Sequence, residues 1–314
     1  MRNARVFILV LLSLFLLTGC GAQEDLQNGH RAGEVNSFPM VVTDDLGREV
    51  EIVKAPERIV SLAPAATEIL FSLDLDGLLV GVTDYCDYPL EAKNKEKIGD
   101  FLNPNLEKIL SMEPDLILAA GGVQEGIVNQ LDNLGEIVVV LDPQNLGEVM
   151  EDILLVGKIT ARMEEALRVT GDMEARIQRV KDVTGNLSED EIVDTFVVLW
   201  IEGASIYTAG GGSFISHLVE LAGGCNIADT GTGDYFQYSL ENLLEEDPEA
   251  IINIALGYDG EDLGKMEGWE KLRAVQNGRI HTVDDNDLLT LPGPRLIEGL
   301  ELLSQFLHPE YFLP

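Results

Sequence analysis

Glu107-Lys-Ile-Leu-Ser-Met-Glu-Pro114-Asp-Leu-Ile-Leu118 returns 134 residues later, without a gap, as Glu241-Asn-Leu-Leu-Glu-Glu-Asp-Pro248-Glu-Ala-Ile-Ile252. Each copy reads as a short helix, an acid, a proline that cannot continue the helix, a second acid and a buried strand. A unit repeated at this distance implies two related lobes. Two lobes leave a cleft between them, and ligands favour such clefts.

Around the first copy the chain alternates strands and helices. Val41 to Lys54 reads as a hairpin turning at Asp45-Leu46-Gly47. Strands follow at Arg58–Leu62, Leu79–Val82, Leu116–Ala119 and Ile137–Leu141, with helices at Thr67–Leu73, Leu106–Met112 and Ile127–Leu134. Such alternation indicates a parallel sheet with both faces covered. From Leu146 to Val183 apolar residues recur at helical spacing (Met150, Ile153, Leu154, Ile159, Met163, Leu167, Met173, Ile177), with no proline and only Gly157 and Gly171 as weak points. This span is expected to form one long helix between the lobes. Alternation then resumes with a strand at Val193–Trp200, a helix at Phe214–Ala222, strands at Ala250–Ala255 and Arg279–Val283, and a closing helix at Arg295–Leu307. The fold class expected is α/β, with two Rossmann-like lobes at 39–145 and 185–314 joined by a single long helix at 146–184.

The N-terminus addresses the compartment. Arg2 and Arg5 precede a nearly unbroken apolar run from Val6 to Leu17, which ends in Leu17-Thr18-Gly19-Cys20. The run is too short and too abruptly ended for a transmembrane helix. It resembles a bacterial lipoprotein signal, which implies removal of 1–19 and diacylation of Cys20, and two acyl chains suffice for durable anchoring. The polar, Gly-rich stretch 20–38 then reads as a flexible tether. The expected location is extracytoplasmic and membrane-anchored.

Composition excludes several classes. With 55 acids against 21 bases the net charge is −34, and removing 1–19 takes two arginines and no acid, giving −36. Such a surface repels nucleic acid. A mean hydropathy of +0.09 excludes a polytopic membrane protein. The four histidines are scattered without ligand spacing, and there is no Cys-x-x-Cys, Walker A or Gly-x-Ser-x-Gly motif. No nucleophile–base pair can be named, so the chain does not read as an enzyme, and no prosthetic group is implied. Gly210-Gly211-Gly212-Ser213 could cradle an anion at a helix N-terminus, but reads better as a tight strand–helix turn. Cys86 and Cys225 read as free or buried thiols rather than a disulfide.

Aromatic residues make up only 6% of the chain, yet several fall in expected loops or strand ends: Tyr85, Tyr88, Phe101, Tyr235, Phe236, Tyr238 and Trp200. Flat faces with a polar edge suit a large planar ligand.

Five pieces in order resemble the binding proteins of cobalamin and iron-siderophore ABC importers. They are Arg58-Ile-Val-Ser-Leu-Ala-Pro-Ala-Ala-Thr-Glu68, Val80-Gly-Val-Thr-Asp-Tyr-Cys-Asp-Tyr-Pro89, Asn103-Pro-Asn-Leu-Glu-Lys-Ile-Leu110, Pro114-Asp-Leu-Ile117 and Leu221-Ala-Gly-Gly-Cys-Asn226. The resemblance covers roughly 40–310, and the Asp-Tyr-x-Asp-Tyr-Pro run leans towards the cobalamin branch. It implies a corrinoid cargo, with a ferric siderophore, haem or other metal chelate as the alternative. The partners implied are a permease dimer with its ATPase subunits. Tyr85 and Phe101 would line the cleft from the first lobe and Tyr235 from the second, with Asp287 contacting corrin amides and Trp200 nearby. Relatives often carry Trp where this chain has Phe101 and Tyr235. Glu107 and Glu241 match two surface glutamates that dock into the permease. Arg295 is the main cation expected near the site. Asn105 and Ser239, two residues before those glutamates, could equally start the two helices.

Overall fold

The computed structural model describes residues 37–229 and 233–312. The expected signal sequence, Cys20 and the tether to residue 36 lie outside the described residues. Two strands, β1 (Met40–Thr43) and β2 (Glu49–Ile52), pair antiparallel. Arg48 folds back on Asp44 through its backbone N–H and its Nε, each 3.0 Å from a carboxylate oxygen, which fixes the turn. Arg48 Nη2 also donates to the carbonyl of Val138 at 3.1 Å, tying the hairpin to the first large sheet.

That sheet is fully parallel, in the order β4 (Leu79–Val82), β3 (Ile59–Ser61), β5 (Leu116–Ala120), β6 (Val138–Leu141). Helices α1 (Pro64–Ser72), α2 (Leu106–Ser111) and α3 (Glu125–Asn133) alternate with its strands. All four residues of β6 and the first four of β5 are buried, as expected for a sheet covered on both faces.

After β6 the chain enters α4 (Leu146–Ile159) and α5 (Met163–Thr184). The single helix expected over 146–184 is corrected here, because it breaks at Thr160–Arg162. The N–H of Arg162 reaches the carbonyl of Gly157 at 2.7 Å and that of Ala161 faces Lys158 at 3.4 Å, while Ala161 takes φ +57°. This is the Schellman arrangement that ends helices, with alanine where glycine is usual. The two helices then run antiparallel. A methyl at Gly157 would run into Cβ of Ala166 near the turn, while Leu146 and Met150 share a groove with Gly171, Glu174 and Gln178 at the far end. Gly157 therefore marks a helix contact rather than a break. The link between lobes falls to the 22 residues of α5. Arg168 donates to the carbonyl of Ser72 on α1 at 3.4 Å, and Arg176 grips Glu301 with two bonds of 2.9 and 2.7 Å.

The second parallel sheet runs β10 (Gly224–Asn226), β7 (Val193–Val198), β12 (Ala250–Asn253), β13 (Ile280–Thr282). Counted along the chain, both parallel sheets have the strand order 2-1-3-4. The strand expected over 193–200 ends at Val198, and a small antiparallel sheet follows: β8 (Trp200–Glu202), β9 (Ser205–Ala209) and, later, β11 (Tyr235–Tyr238), in the order β11-β9-β8. Helices α6 (Phe214–Leu221), α7 (Leu240–Glu246), α8 (Gly260–Gly264) and α9 (Arg273–Gln276) accompany these strands. Then α10 (Asp287–Thr290), α11 (Leu296–Leu307) and α12 (Pro309–Phe312) close the chain, with α11 packed on α5 and α6.

The repeat is physical down to its caps. Asn105 accepts a bond from the N–H of Lys108 and Ser239 one from Asn242, both at 3.0 Å, at matching N-caps. Glu113 (φ +47°) and Asp247 (φ +44°) take matching left-handed turns before the two prolines. One hydrophobic core runs through both lobes by way of α4, α5 and α11.

Candidate functional site

A mainly apolar cavity of about 600 Å³ opens beyond the C-terminal ends of β3, β5 and β6. In open parallel sheets that is where ligands bind. Its walls include Ala63–Ala66 and Ile69 from α1 and its N-terminal side, Ala119 and Ala120 from β5, and Leu141 from β6. Asp287, Leu291 and Pro292 bring the C-terminal lobe to the same space.

Tyr85 stands on the loop after β4, 60% exposed, above a built support. The Cys86 thiol beneath it is buried between Thr67 and Thr83, whose hydroxyls lie 3.1 and 3.2 Å from Sγ. Burial pushes that thiol's pKa up. Lys97 Nζ donates to the carbonyls of Thr83 and Cys86 at 3.2 and 2.8 Å and so staples the loop at both ends. Phe101 is fixed by Gln124, a fully buried side chain on the turn before α3. Its amide donates to the carbonyls of Leu62 and Phe101 at 2.8 and 2.7 Å and accepts from the N–H of Ala120 at 2.9 Å. One glutamine thereby locks the Phe101 loop to the ends of β3 and β5. Sequence reading missed Gln124, because a lone glutamine carries no motif.

The cavity's charges are all of one sign. Asp84, Asp87, Asp100 and Asp287 line it, and among the described residues no Lys, Arg or His does. The Asp287 carboxyl is raised by burial first, then by Asp285 and Asp87, against the pull of Arg295. Arg295, the expected cation, lies nearby, with both of its terminal nitrogens already held by carboxylates. It donates to Glu68 at 3.2 Å and to Asp285, and its guanidinium lies 3.7 Å from the centre of the Tyr88 ring. Among the described residues no group of three His, Cys, Asp or Glu is placed to hold a metal ion.

The structure thus brings Tyr85, Phe101 and Asp287 to one cavity. Trp200 and Tyr235 are not among its lining residues. Both lie exposed on the antiparallel sheet, where Trp200 stacks on Tyr207 with ring centres 4.3 Å apart, and Tyr235 pairs with Ala209. Glu107 and Glu241 are exposed in the first turns of α2 and α7. The glycine run before α6 does not suit an anion, because Gly211 and Gly212 abut the carboxylates of Asp229 and Asp234, while Ser213 caps α6. Cys86 and Cys225 are free thiols, one buried and one exposed.

Comparison with known proteins places this geometry. A family described as periplasmic binding protein matches residues 59–286. The uncharacterized ABC transporter substrate-binding lipoprotein YvrC of Bacillus subtilis is 32% identical over 315 residues, covering 99% of each chain. The vitamin B12-binding protein of Vibrio cholerae is 31% identical over 258 residues, 80% of this chain and 89% of that protein. A crystal structure of the periplasmic vitamin B12 binding protein BtuF of Vibrio cholerae matches with TM-score 0.70 at 28% identity, covering 83% of this chain and 99% of that one. A possible iron-binding periplasmic solute-binding protein from Staphylococcus epidermidis matches equally, with TM-score 0.70 at 28% identity, over 81% of this chain and all of that one.

Proposed function

The chain belongs to the periplasmic binding protein family, and from that premise we propose that it captures a corrinoid of the vitamin B12 type outside the cytoplasm and delivers it to an ABC importer. Its class is that of an ABC transporter substrate-binding protein, not an enzyme, and that class works with a permease and ATPase subunits.

The observation that carries the corrinoid reading is the cavity's lining. Tyr85 and Phe101 offer flat faces, and four carboxylates, with no cation beside them among the described residues, offer acceptors. A corrinoid's rim of primary amides supplies N–H donors to match. The carboxylates of haem or a ferric siderophore would instead meet like charge, since Arg295 is already held by Glu68 and Asp285. The likeness to a possible iron-binding protein supports that second reading. Tyr85, Phe101 and Asp287 form the proposed contact set, and Trp200 and Tyr235 are left out of it.

Isothermal titration with cyanocobalamin, beside haem and a panel of ferric chelates, tests the choice. Saturable binding of cyanocobalamin at micromolar concentration or below is expected. Heat from haem or a chelate alone would transfer the assignment to that ligand.

We further propose that Cys20 is lipidated and that Glu107 and Glu241, one per lobe, meet the two halves of the permease dimer. A Cys20→Ala chain is expected in the soluble fraction, and its retention with the membrane would remove the anchor.

A further inference from the structure

Glu68 on α1 and Arg295 ahead of α11 belong to different lobes and meet at the seam between them. Arg295 Nη1 donates to Glu68 Oε1 at 3.2 Å, and both residues are nearly inaccessible, 5% and 9% exposed. The pairing is incomplete: Glu68 Oε2 and Arg295 Nε are buried with no hydrogen-bond partner among the described residues. Buried polar atoms are normally satisfied, so such gaps mark a strained contact. The charge is also unbalanced. Arg295 serves Glu68 and Asp285 together, and Asp287 adds a third carboxylate that faces Glu68.

This seam borders the cavity. Ala65, Ala66 and Ile69 flank Glu68 and line the cavity, while Asp287, Leu291 and Pro292 line it just before Arg295. The pair therefore joins two pieces of one wall, each from its own lobe. We propose that Glu68 and Arg295 are a positioning pair that holds the lobes' shares of the cavity in register, and that ionisation of Glu68 loosens this seam.

Burial pushes the Glu68 carboxyl up to about 7. Arg295 opposes that rise, while Asp287 and Asp285 add to it. If the seam opens and water reaches Glu68, its pKa returns towards the ordinary 4.5. The docked seam thus holds a proton that the opened seam releases, so acid favours docking, and docking weakens as pH rises from about 4.5 to about 7. The groups facing Glu68 are Arg295, Asp285 and Asp287. Asp87 acts on Asp287 from the N-terminal lobe, and the Tyr88 ring covers Arg295.

Hydrogen–deuterium exchange of the full chain, without cargo, tests this when wild type and Glu68→Gln are compared at the same pH, which cancels the intrinsic pH dependence of exchange. Glutamine stands for the protonated acid. At about pH 8.5 the wild type is expected to exchange roughly three-fold or more faster than Glu68→Gln across residues 286–299, and at about pH 4, below the opened-seam value of 4.5, the two should match. Equal exchange at both pH values would overturn the proposal. Asp285→Asn keeps Glu68 in place but removes one acid that raises it, so the midpoint of wild-type behaviour should move to lower pH. An unmoved midpoint also counts against the proposal.

The consequence for cargo rests on the corrinoid reading. Cyanocobalamin affinity is expected to fall between those two pH values in wild type and to stay flat in Glu68→Gln. If cyanocobalamin binds neither protein, the corrinoid reading falls, while the exchange comparison still decides the seam.

Discussion

Tyr85 stands on a loop fixed from below by Cys86, Thr67, Thr83 and Lys97, with its ring left to solvent. An exposed ring contributes little to folding, so Tyr85→Ala should leave the melting temperature nearly unchanged. If the ring stacks on cargo, the same change weakens cyanocobalamin binding by about 1 kcal/mol, roughly five-fold. Titration calorimetry reads this, and unchanged affinity removes Tyr85 from the contact set. Tyr85 was legible from sequence because it sits in a run that resembles the cobalamin branch. Gln124 and Glu68 were not legible as working parts. In the sequence Glu68 is only the last residue of the Arg58–Glu68 run, and its partner Arg295 lies 227 positions away. No local pattern links residues so far apart.

At the scale of elements, the turn between α4 and α5 shows what periodicity leaves out. Apolar residues keep helical spacing straight through Thr160–Arg162, because both helices bury one face against the same core. The break sits at an alanine in left-handed conformation, where no glycine signals it. Ala161→Gly should therefore stabilise the protein by about 0.5–1 kcal/mol, as relief of backbone strain outweighs glycine's extra chain entropy. Gly157→Ala should do the reverse, costing about 1–3 kcal/mol, because its methyl collides with Ala166. Urea denaturation measures both. A Gly157→Ala protein as stable as wild type would mean that the helices do not cross where described. The antiparallel sheet of β8, β9 and β11 was missed for a similar reason. Val193–Trp200 reads as one apolar strand, yet the chain changes direction after Val198, and Trp200 gives its face to Tyr207.

Across the whole molecule, the two glutamates of the repeat stand in equivalent first turns, one per lobe. If they are the docking points, Glu107→Ala and Glu241→Ala should each lower cargo-dependent stimulation of the importer's ATPase and together abolish it, with cyanocobalamin affinity unchanged. Undiminished stimulation by the double variant would end that assignment. The sequence alone determined the pair of α/β lobes, because β-strand periodicity, helix caps and the prolines after Glu113 and Asp247 are local signals, and they occur twice in the same order. It also marked Tyr85, Phe101 and Asp287, which the fold gathers at one cavity. Only the tertiary structure decided that the 146–184 span folds back on itself, that Trp200 and Tyr235 lie on a separate sheet, and that Glu68 meets Arg295 under cover from water. Those outcomes depend on which surfaces meet once the core closes. Burial and the pairing of distant charges belong to the assembled chain and leave no periodic trace along it.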